Sequence, residues 1–216
     1  IGTTPFPSIN QTSQDGSYSV STTSATRSAL SHALATTGTA DAKVPSSGIF
    51  AFENYLVNFP TSAPQNGGVL NAGLVGLLTS STEGIQLSAY LISGSGLSPN
   101  TSLNVVVYNP ATAQIDSQSY PVSLPISGNF RVGFYVNQSS KQIGVIVDGV
   151  DKGYLSFTFQ YTIQKIGFQP FSFSNSSIHS SDPVIGQTVK TRLVTDASQV
   201  LFSYPSGAKD ICGNTI

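Results

Sequence analysis

From Gly48 onward, short apolar runs alternate with clusters of Gly, Pro, Asn and Ser, and no long stretch keeps helical spacing. Runs of this kind, separated by turn residues, predict an all-β protein, an antiparallel β-sandwich or jelly roll, rather than alternating strands and helices. The predicted strands are Ile49–Phe59, Val69–Leu78, Ile85–Ile92, Leu103–Tyr108, Ile115–Leu124, Phe130–Val136, Gln142–Val147, Tyr154–Tyr161, Ile163–Phe168, Thr188–Thr195 and Val200–Tyr204.

Residues 1–47 differ from the rest of the chain, because they are rich in Ser, Thr and Ala and poor in large apolar side chains. Within them, residues 25–36 carry a short helical pattern, and Ser17 to Ser21 alternate like a strand. We therefore divide the chain into an extended N-terminal arm, 1–47, and a sandwich domain, 48–216. The arm's candidate residues for self-assembly are its large apolar side chains, Phe6, Ile9, Tyr18, Val20, Leu30 and Leu34.

Charge is scarce, since Asp, Glu, Lys and Arg make up 9% of the residues and the net charge is −1. A chain without a basic patch is not expected to bind nucleic acid or an anionic membrane surface. No apolar run is long enough to insert into a membrane. A near-neutral surface also permits association between copies of the chain.

The segment Asn129–Phe157 forms a predicted β-meander, in which Phe130, Val132, Phe134 and Val136 alternate on one face. Its second apolar strand ends in Val147-Asp148-Gly149, a tight hairpin signal. This arrangement resembles the concanavalin, laminin-G and pentraxin sandwiches. The resemblance implies a sandwich fold, which serves lectins, glycosidases, adhesion modules and structural proteins alike.

The C-terminal part, from Val184 to Ile216, resembles a family of secreted Gram-negative bacterial proteins with no established function. The resemblance depends on Gly186-Gln187-Thr188-Val189, on Leu193-Val194-Thr195-Asp196 and on the closing segment from Tyr204 to Asn214. It implies an extracellular or bacterial cell-surface location and no catalytic activity.

The sequence contains no recognisable catalytic motif. Glu53 and Glu83 are the two glutamates, and a glycosidase would need two carboxylates facing one groove. The alternative for both is a carboxylate at the surface or at a strand edge, and no Trp is present to stack on a sugar. His32 and His179 lack partners for a metal site or a triad, so we interpret them as solvated loop residues. The chain is therefore expected not to be an enzyme.

Two minor site hypotheses remain. Asp148, Asp151 and Asp116 could contribute to a calcium site, although calcium requires six to eight oxygen ligands and Asp-Gly is also ordinary hairpin chemistry. No other cofactor is expected. Cys212, the single cysteine, could be an intermolecular thiol, a partner for a cysteine outside this segment or a small residue near the terminus.

Two functions from different classes follow. The first is a structural protein of the cell surface that assembles with copies of itself into a filament, through the N-terminal arm. The alternative is a carbohydrate-binding or adhesive, lectin-like module that binds glycans. Its candidate sugar-stacking residues are Tyr90, Tyr108, Tyr135, Tyr154 and Tyr161, although packing in the core or on a sheet face is the favoured role for most of them, because they lie in strands.

Overall fold

Strands, and no helix, make up the regular structure of the residues that the computed structural model describes, which are 15–19, 42–65, 67–97, 101–174 and 181–216. The strands are β1 (Asp15–Ser19), β2 (Ala42–Lys43), β3 (Ile49–Val57), β4 (Val69–Thr79), β5 (Gly84–Gly94), β6 (Thr101–Asn109), β7 (Gln114–Pro121), β8 (Phe130–Asn137), β9 (Gln142–Val147), β10 (Val150–Thr158), β11 (Lys165–Ser174), β12 (Thr188–Val194) and β13 (Ala208–Lys209).

Two sheets are formed. The seven-stranded sheet has the order β1-β12-β3-β8-β9-β10, and β13 also pairs with β3. The six-stranded sheet has the order β2-β11-β4-β5-β6-β7. All pairings are antiparallel except that of β13, which runs parallel to β3. The predicted all-β fold, a sandwich of two antiparallel sheets, is confirmed.

The core lies between the sheets, because each strand turns alternate apolar side chains inward. In β5 the inward residues are Ile85, Leu87, Ala89 and Leu91, and all four are buried. Phe52 of the seven-stranded sheet meets Phe168 of the other sheet edge to face, with 5.0 Å between ring centroids. Burying a side chain of this size contributes about 1.5–3 kcal/mol.

The hairpin predicted at Val147-Asp148-Gly149 joins β9 to β10, with Val147 paired to Val150. Asp148 and Gly149 have φ values of 52° and 74°. Positive φ at both central residues is the backbone of a type I′ turn, which matches the twist of the flanking strands and favours Asp-Gly. The prediction is confirmed, and the sequence here acts as a turn.

The free edges of the two sheets, β10 and β7, meet along one side of the sandwich. The Asp116 carboxylate of β7 accepts hydrogen bonds from the Ser156 N–H and Oγ of β10, both at 2.8 Å. Burial alone would raise the pKa of Asp116, but the bonds from Ser156 and Gln118 outweigh it, so the pKa is lowered. Strand β10 also carries two register shifts, which make it a poor template for a further strand.

Part of the arm belongs to the sandwich. Strand β1, Asp15–Ser19, pairs with β12 of the same chain, with Tyr18 in register with Val189. The strand signal at Ser17 to Ser21 is thus confirmed within β1. The helix predicted at 25–36 and the arm residues Phe6, Ile9, Val20, Leu30 and Leu34 lie outside the described residues.

The strand predicted at Val200–Tyr204 is wrong. These residues form no ladder, because their backbone N–H groups are used by a side chain of the neighbouring sheet, as described below. Within the described ranges, no helix combines the length and the apolar character needed to cross a membrane.

Candidate functional site

The outer face of the six-stranded sheet carries a patch of neutral polar and aromatic side chains at its centre. We call it the open face; it consists of Gln86, Ser88, Tyr90, Asn104 and Tyr108. All five are half-buried, and they alternate with core residues along β5 and β6. Strand periodicity therefore turns all five away from the core.

The register of β5 and β6 arranges these side chains in pairs. Tyr90 lies opposite Asn104, Ser88 opposite Val106 and Gln86 opposite Tyr108. Side chains of directly opposed residues on one sheet face are in contact range, with Cβ atoms about 4.5–5.5 Å apart. Each tyrosine of the open face thus has an amide beside it.

Three polar side chains of the open face have hydrogen-bonding groups that no described residue uses. Among the described residues, none bonds to the side chain of Gln86, Ser88 or Asn104. Gly73 lies opposite Tyr90 on the adjacent strand, and a Cβ there would come within 2.5 Å of Tyr90 Cα. Burial raises the pKa of the Tyr90 phenol above its ordinary value.

The outer face of the seven-stranded sheet is covered instead. Glu53, which is 0% exposed, points out of β3, and its Oε1 accepts hydrogen bonds from the Leu201 and Phe202 N–H groups at 3.0 and 2.9 Å and from the Tyr204 hydroxyl at 3.3 Å. Its Oε2 accepts a hydrogen bond from the Arg131 guanidinium at 2.5 Å. This carboxylate holds the C-terminal segment, residues 195–216, against the sheet.

Three tyrosine rings continue this covered face. Tyr135 makes edge-to-face contacts with Tyr204 and Tyr154, at centroid distances of 6.3 and 5.3 Å. The ring lies on Gly144, where a Cβ would come within 2.0 Å of it, so this position requires glycine. Its hydroxyl donates a hydrogen bond to Asp151 at 2.9 Å. Burial, and after it the neighbouring carboxylates, raises the pKa of Tyr135 and of Tyr204.

A second carboxylate fixes the end of the C-terminal segment. Asp210 is 1% exposed and accepts four hydrogen bonds, from the N–H groups of Ala197, Cys212 and Asn214 and from the Asn214 amide. Burial alone would raise the pKa of Asp210, but these bonds outweigh it, and the pKa is lowered. The turn therefore depends on an ionised carboxylate.

The two glutamates weighed as a glycosidase pair are not brought together. Glu83 lies in the turn between β4 and β5, bonds to the Asn109 amide and accepts the N–H groups of Gln160 and Tyr161 at 3.2 and 3.4 Å. Glu53 lies on the seven-stranded sheet and bonds to the C-terminal segment that covers the outer face of that sheet. The expectation of surface carboxylates is also wrong, because both are buried where backbone donors need an acceptor.

The calcium candidates are likewise separate in their contacts. Asp116 bonds to Ser156, Asp151 accepts the Tyr135 hydroxyl and the Gly153 N–H, and Asp148 forms the exposed turn. The part of the chain that the structure describes contains no group of three His, Cys, Asp or Glu side chains that could hold a metal ion. His32 and His179 lie outside that part.

Other predicted residues have simpler surroundings. Cys212 is exposed as a free thiol in the terminal turn. Tyr154 and Tyr161 are 40% and 47% exposed, Tyr135 is buried, and Tyr90 and Tyr108 belong to the open face. The sequence analysis missed Arg131, Tyr204 and Asp210. The scarcity of charge could have drawn attention to Arg131 and Asp210, since a rare ionised residue in a strand or turn often has a structural partner. No such signal marks Tyr204.

Comparison with protein families gives one match. Residues 11–214 match the family described as "Domain of unknown function (DUF4882)". The chain belongs to this family. The match begins inside the predicted arm, so the family's domain takes in β1 as well as the sandwich. No curated protein matches the chain.

Several solved structures share part of the architecture with this DUF4882 member. A GH16 from Bacteroides ovatus, in complex with a product of mixed linkage glucan, is 15% identical, with a TM-score of 0.41, and the match covers 72% of this chain and 69% of that one. The CBM40 of a Ruminococcus gnavus sialidase is 10% identical, with a TM-score of 0.37 and coverages of 70% and 78%. Toad ovary galectin, in complex with N-acetylgalactose, is 13% identical, with a TM-score of 0.31 and coverages of 68% and 96%. Likenesses at this level say nothing about what the present chain binds.

Proposed function

We propose that this DUF4882 protein is a carbohydrate-binding module of an adhesive, lectin-like kind, and that the open face is its binding site. The observation that carries the proposal is the pairing of two half-buried tyrosines with amides whose hydrogen-bonding groups have no partner among the described residues. Sugars present hydroxyl groups and an apolar ring face, and a site with aromatic side chains and a few placed polar groups complements both.

The contrast between the two outer faces supports this choice. On the seven-stranded sheet, the side chains of Glu53, Arg131, Tyr135 and Asn137 bond to other protein groups. The C-terminal segment also contacts Glu53, Arg131 and Tyr135. A ligand there would have to break those bonds. On the open face, the side chains of Gln86, Ser88 and Asn104 have no hydrogen-bond partner among the described residues, so a ligand that bonds to these three side chains would break no such bond.

A binding role without catalysis is part of the proposal. Glu53 and Glu83 have separate structural tasks, and each is held by several donors. The resemblance to secreted Gram-negative bacterial proteins and the extracellular or cell-surface location remain predictions. Both agree with a glycan ligand, because glycans coat cells and surround them.

Self-assembly into a filament through the arm also remains a prediction. Strand β1, a described part of the arm, pairs with its own chain, and the register shifts of β10 make that edge unsuitable for strand addition. No observation of the described residues favours a polymer over a glycan-binding module.

The proposal is tested by glycan-array binding, followed by titration calorimetry on the best ligand with wild type, Tyr90→Ala and Tyr154→Ala. Tyr154 is the matched control, because it is a strand tyrosine on the outer face of the other sheet. We expect Tyr90→Ala to weaken binding about tenfold or more, as central interface tyrosines do, and Tyr154→Ala to leave it unchanged. An array without any bound glycan, or equal affinities for all three proteins, would contradict the proposal.

A further inference from the structure

We infer that the ligand of the open face is an extended neutral oligosaccharide, which binds across two equivalent tyrosine–amide subsites. The inference rests on the proposed function and specifies its ligand. It follows from the register of β5 and β6 and from the charge of the residues around them.

The two subsites are related by the symmetry of the hairpin. Going outward from the central pair Ser88–Val106, Tyr90 faces Asn104 in one direction and Gln86 faces Tyr108 in the other. Each strand therefore gives an amide to one subsite and a tyrosine to the other. Rotation by half a turn about an axis through the central pair exchanges the subsites, with Asn and Gln as the matching amides.

The distance between the subsites sets the size of the ligand. Asn104, the partner of Tyr90, is four residues from Tyr108 along β6. At about 3.4 Å per residue, the two subsites lie about 14 Å apart along the strands. One sugar ring cannot contact both tyrosines, whereas a chain of several units can lie along the strands and contact both.

Charge identifies the class of sugar. The three cross-strand rows that contain the open face, and the next row beyond Tyr90, hold only uncharged residues on β4, β5, β6 and β7. Lys43 and Lys165 are paired one row beyond, at Thr79. Asp116, on β7, is turned toward Ser156 of the other sheet. The carboxylate of an acidic sugar would lose water in these rows without meeting a cation, whereas hydroxyl groups are matched by amides.

The rows, described across β4, β5, β6 and β7, are Leu77–Gln86–Tyr108–Ile115, Val75–Ser88–Val106–Ser117, Gly73–Tyr90–Asn104–Ser119 and Asn71–Ile92–Ser102–Pro121. Their uncharged composition also predicts that binding does not depend on ionic strength, since screening acts on charged pairs.

The experiment begins with affinity electrophoresis of the full chain in gels that contain one polysaccharide each. The neutral panel is mixed-linkage β-glucan, galactomannan and starch, and the anionic panel is polygalacturonate and hyaluronate. We expect retardation by a neutral polysaccharide and none by the anionic ones. Retardation by the anionic panel alone, lost in Tyr90→Ala, would overturn the neutral class but leave glycan binding in place. Retardation by neither panel would overturn this inference and the proposed function together.

Calorimetry then uses oligosaccharides of increasing length prepared from the retarding polysaccharide. The longest should bind about tenfold or more tightly than the disaccharide, because the second contact is intramolecular. In Tyr90→Ala and in Tyr108→Ala, the long ligand should bind only as tightly as the disaccharide binds to the wild type. The affinity for the disaccharide itself should fall only about twofold in either variant. Affinities should agree in about 50 and 500 mM NaCl. If one tyrosine carries all the affinity, or if length has no effect, the two-subsite arrangement is wrong even though glycan binding stands.

Discussion

Replacing Glu53 with alanine should lower the free energy of unfolding by about 3–5 kcal/mol, the usual cost of removing one member of a buried ion pair. The carboxylate is fully buried and accepts four hydrogen bonds. Its loss leaves Arg131, whose side chain is 18% exposed, without its anion, and it leaves the N–H groups of Leu201 and Phe202 without an acceptor. Urea unfolding, followed by circular dichroism, measures the change.

Two further variants make the Glu53 result specific. Glu53→Gln keeps the shape of the side chain but removes its charge. Its free energy of unfolding should lie between those of the wild type and Glu53→Ala. Asp148→Asn removes an equal charge from an exposed turn where Asn tolerates positive φ, and it should change stability by less than about 0.5 kcal/mol. Limited proteolysis of Glu53→Gln should cut first within residues 195–207. If Glu53→Ala is as stable as Asp148→Asn, the carboxylate does not hold the C-terminal segment.

Replacing Asp210 with asparagine should cost about 3 kcal/mol at pH 7. One carboxylate oxygen accepts the N–H groups of Cys212 and Asn214, and the other accepts the Ala197 N–H and the Asn214 amide. In the variant, an NH₂ group must face two donors, which leaves buried donors unsatisfied at about 1–3 kcal/mol each. Asp148→Asn is the matched control, because the same substitution is made in a turn without such bonds.

The effect of Asp210 should depend on pH in a defined direction. Its pKa in the folded protein is lowered from the ordinary 3.8. The stability that it contributes is therefore fully present above pH 3.8 and is lost as the pH falls through the lower folded-state pKa. Unfolding free energies of wild type and Asp210→Asn should differ by a constant amount between about pH 7 and pH 5 and converge in stronger acid. A difference that grows on acidification would contradict the assignment.

Much of the sandwich was predictable, because burial on one face imposes a period of two on a strand. Ile85, Leu87 and Leu91 alternate with Gln86, Ser88 and Tyr90, and this pattern alone locates both the core and the outward face. The type I′ turn at Asp148-Gly149 follows from local backbone preference. Since both features are encoded within a few neighbouring residues, a single sequence is enough to find them.

The C-terminal segment was not predictable in the same way. Val200–Tyr204 has the composition of a strand, but its hydrogen bonds go to Glu53, a side chain 148 residues earlier. The residues next to Val200–Tyr204 in the sequence do not indicate that Glu53 is the hydrogen-bond acceptor. The open face was predictable only in part. Tyr90 and Tyr108 could be named as stacking candidates from the sequence, whereas their pairing with Asn104 and Gln86 depends on the register between β5 and β6. Register joins distant residues and requires the structure.

The hydrogen bonds that hold the C-terminal segment against the seven-stranded sheet have a mechanical consequence. If the protein is pulled from its C-terminal end, the load first meets the Asp210 turn, then the two-residue parallel pairing of β13 and then the bonds to Glu53. These contacts break one after another as the segment peels, and β3 and β8 remain paired beneath them. The open face lies on the opposite sheet and takes no part in that extension. A tether attached at this end could lengthen by some twenty residues while a ligand stays bound.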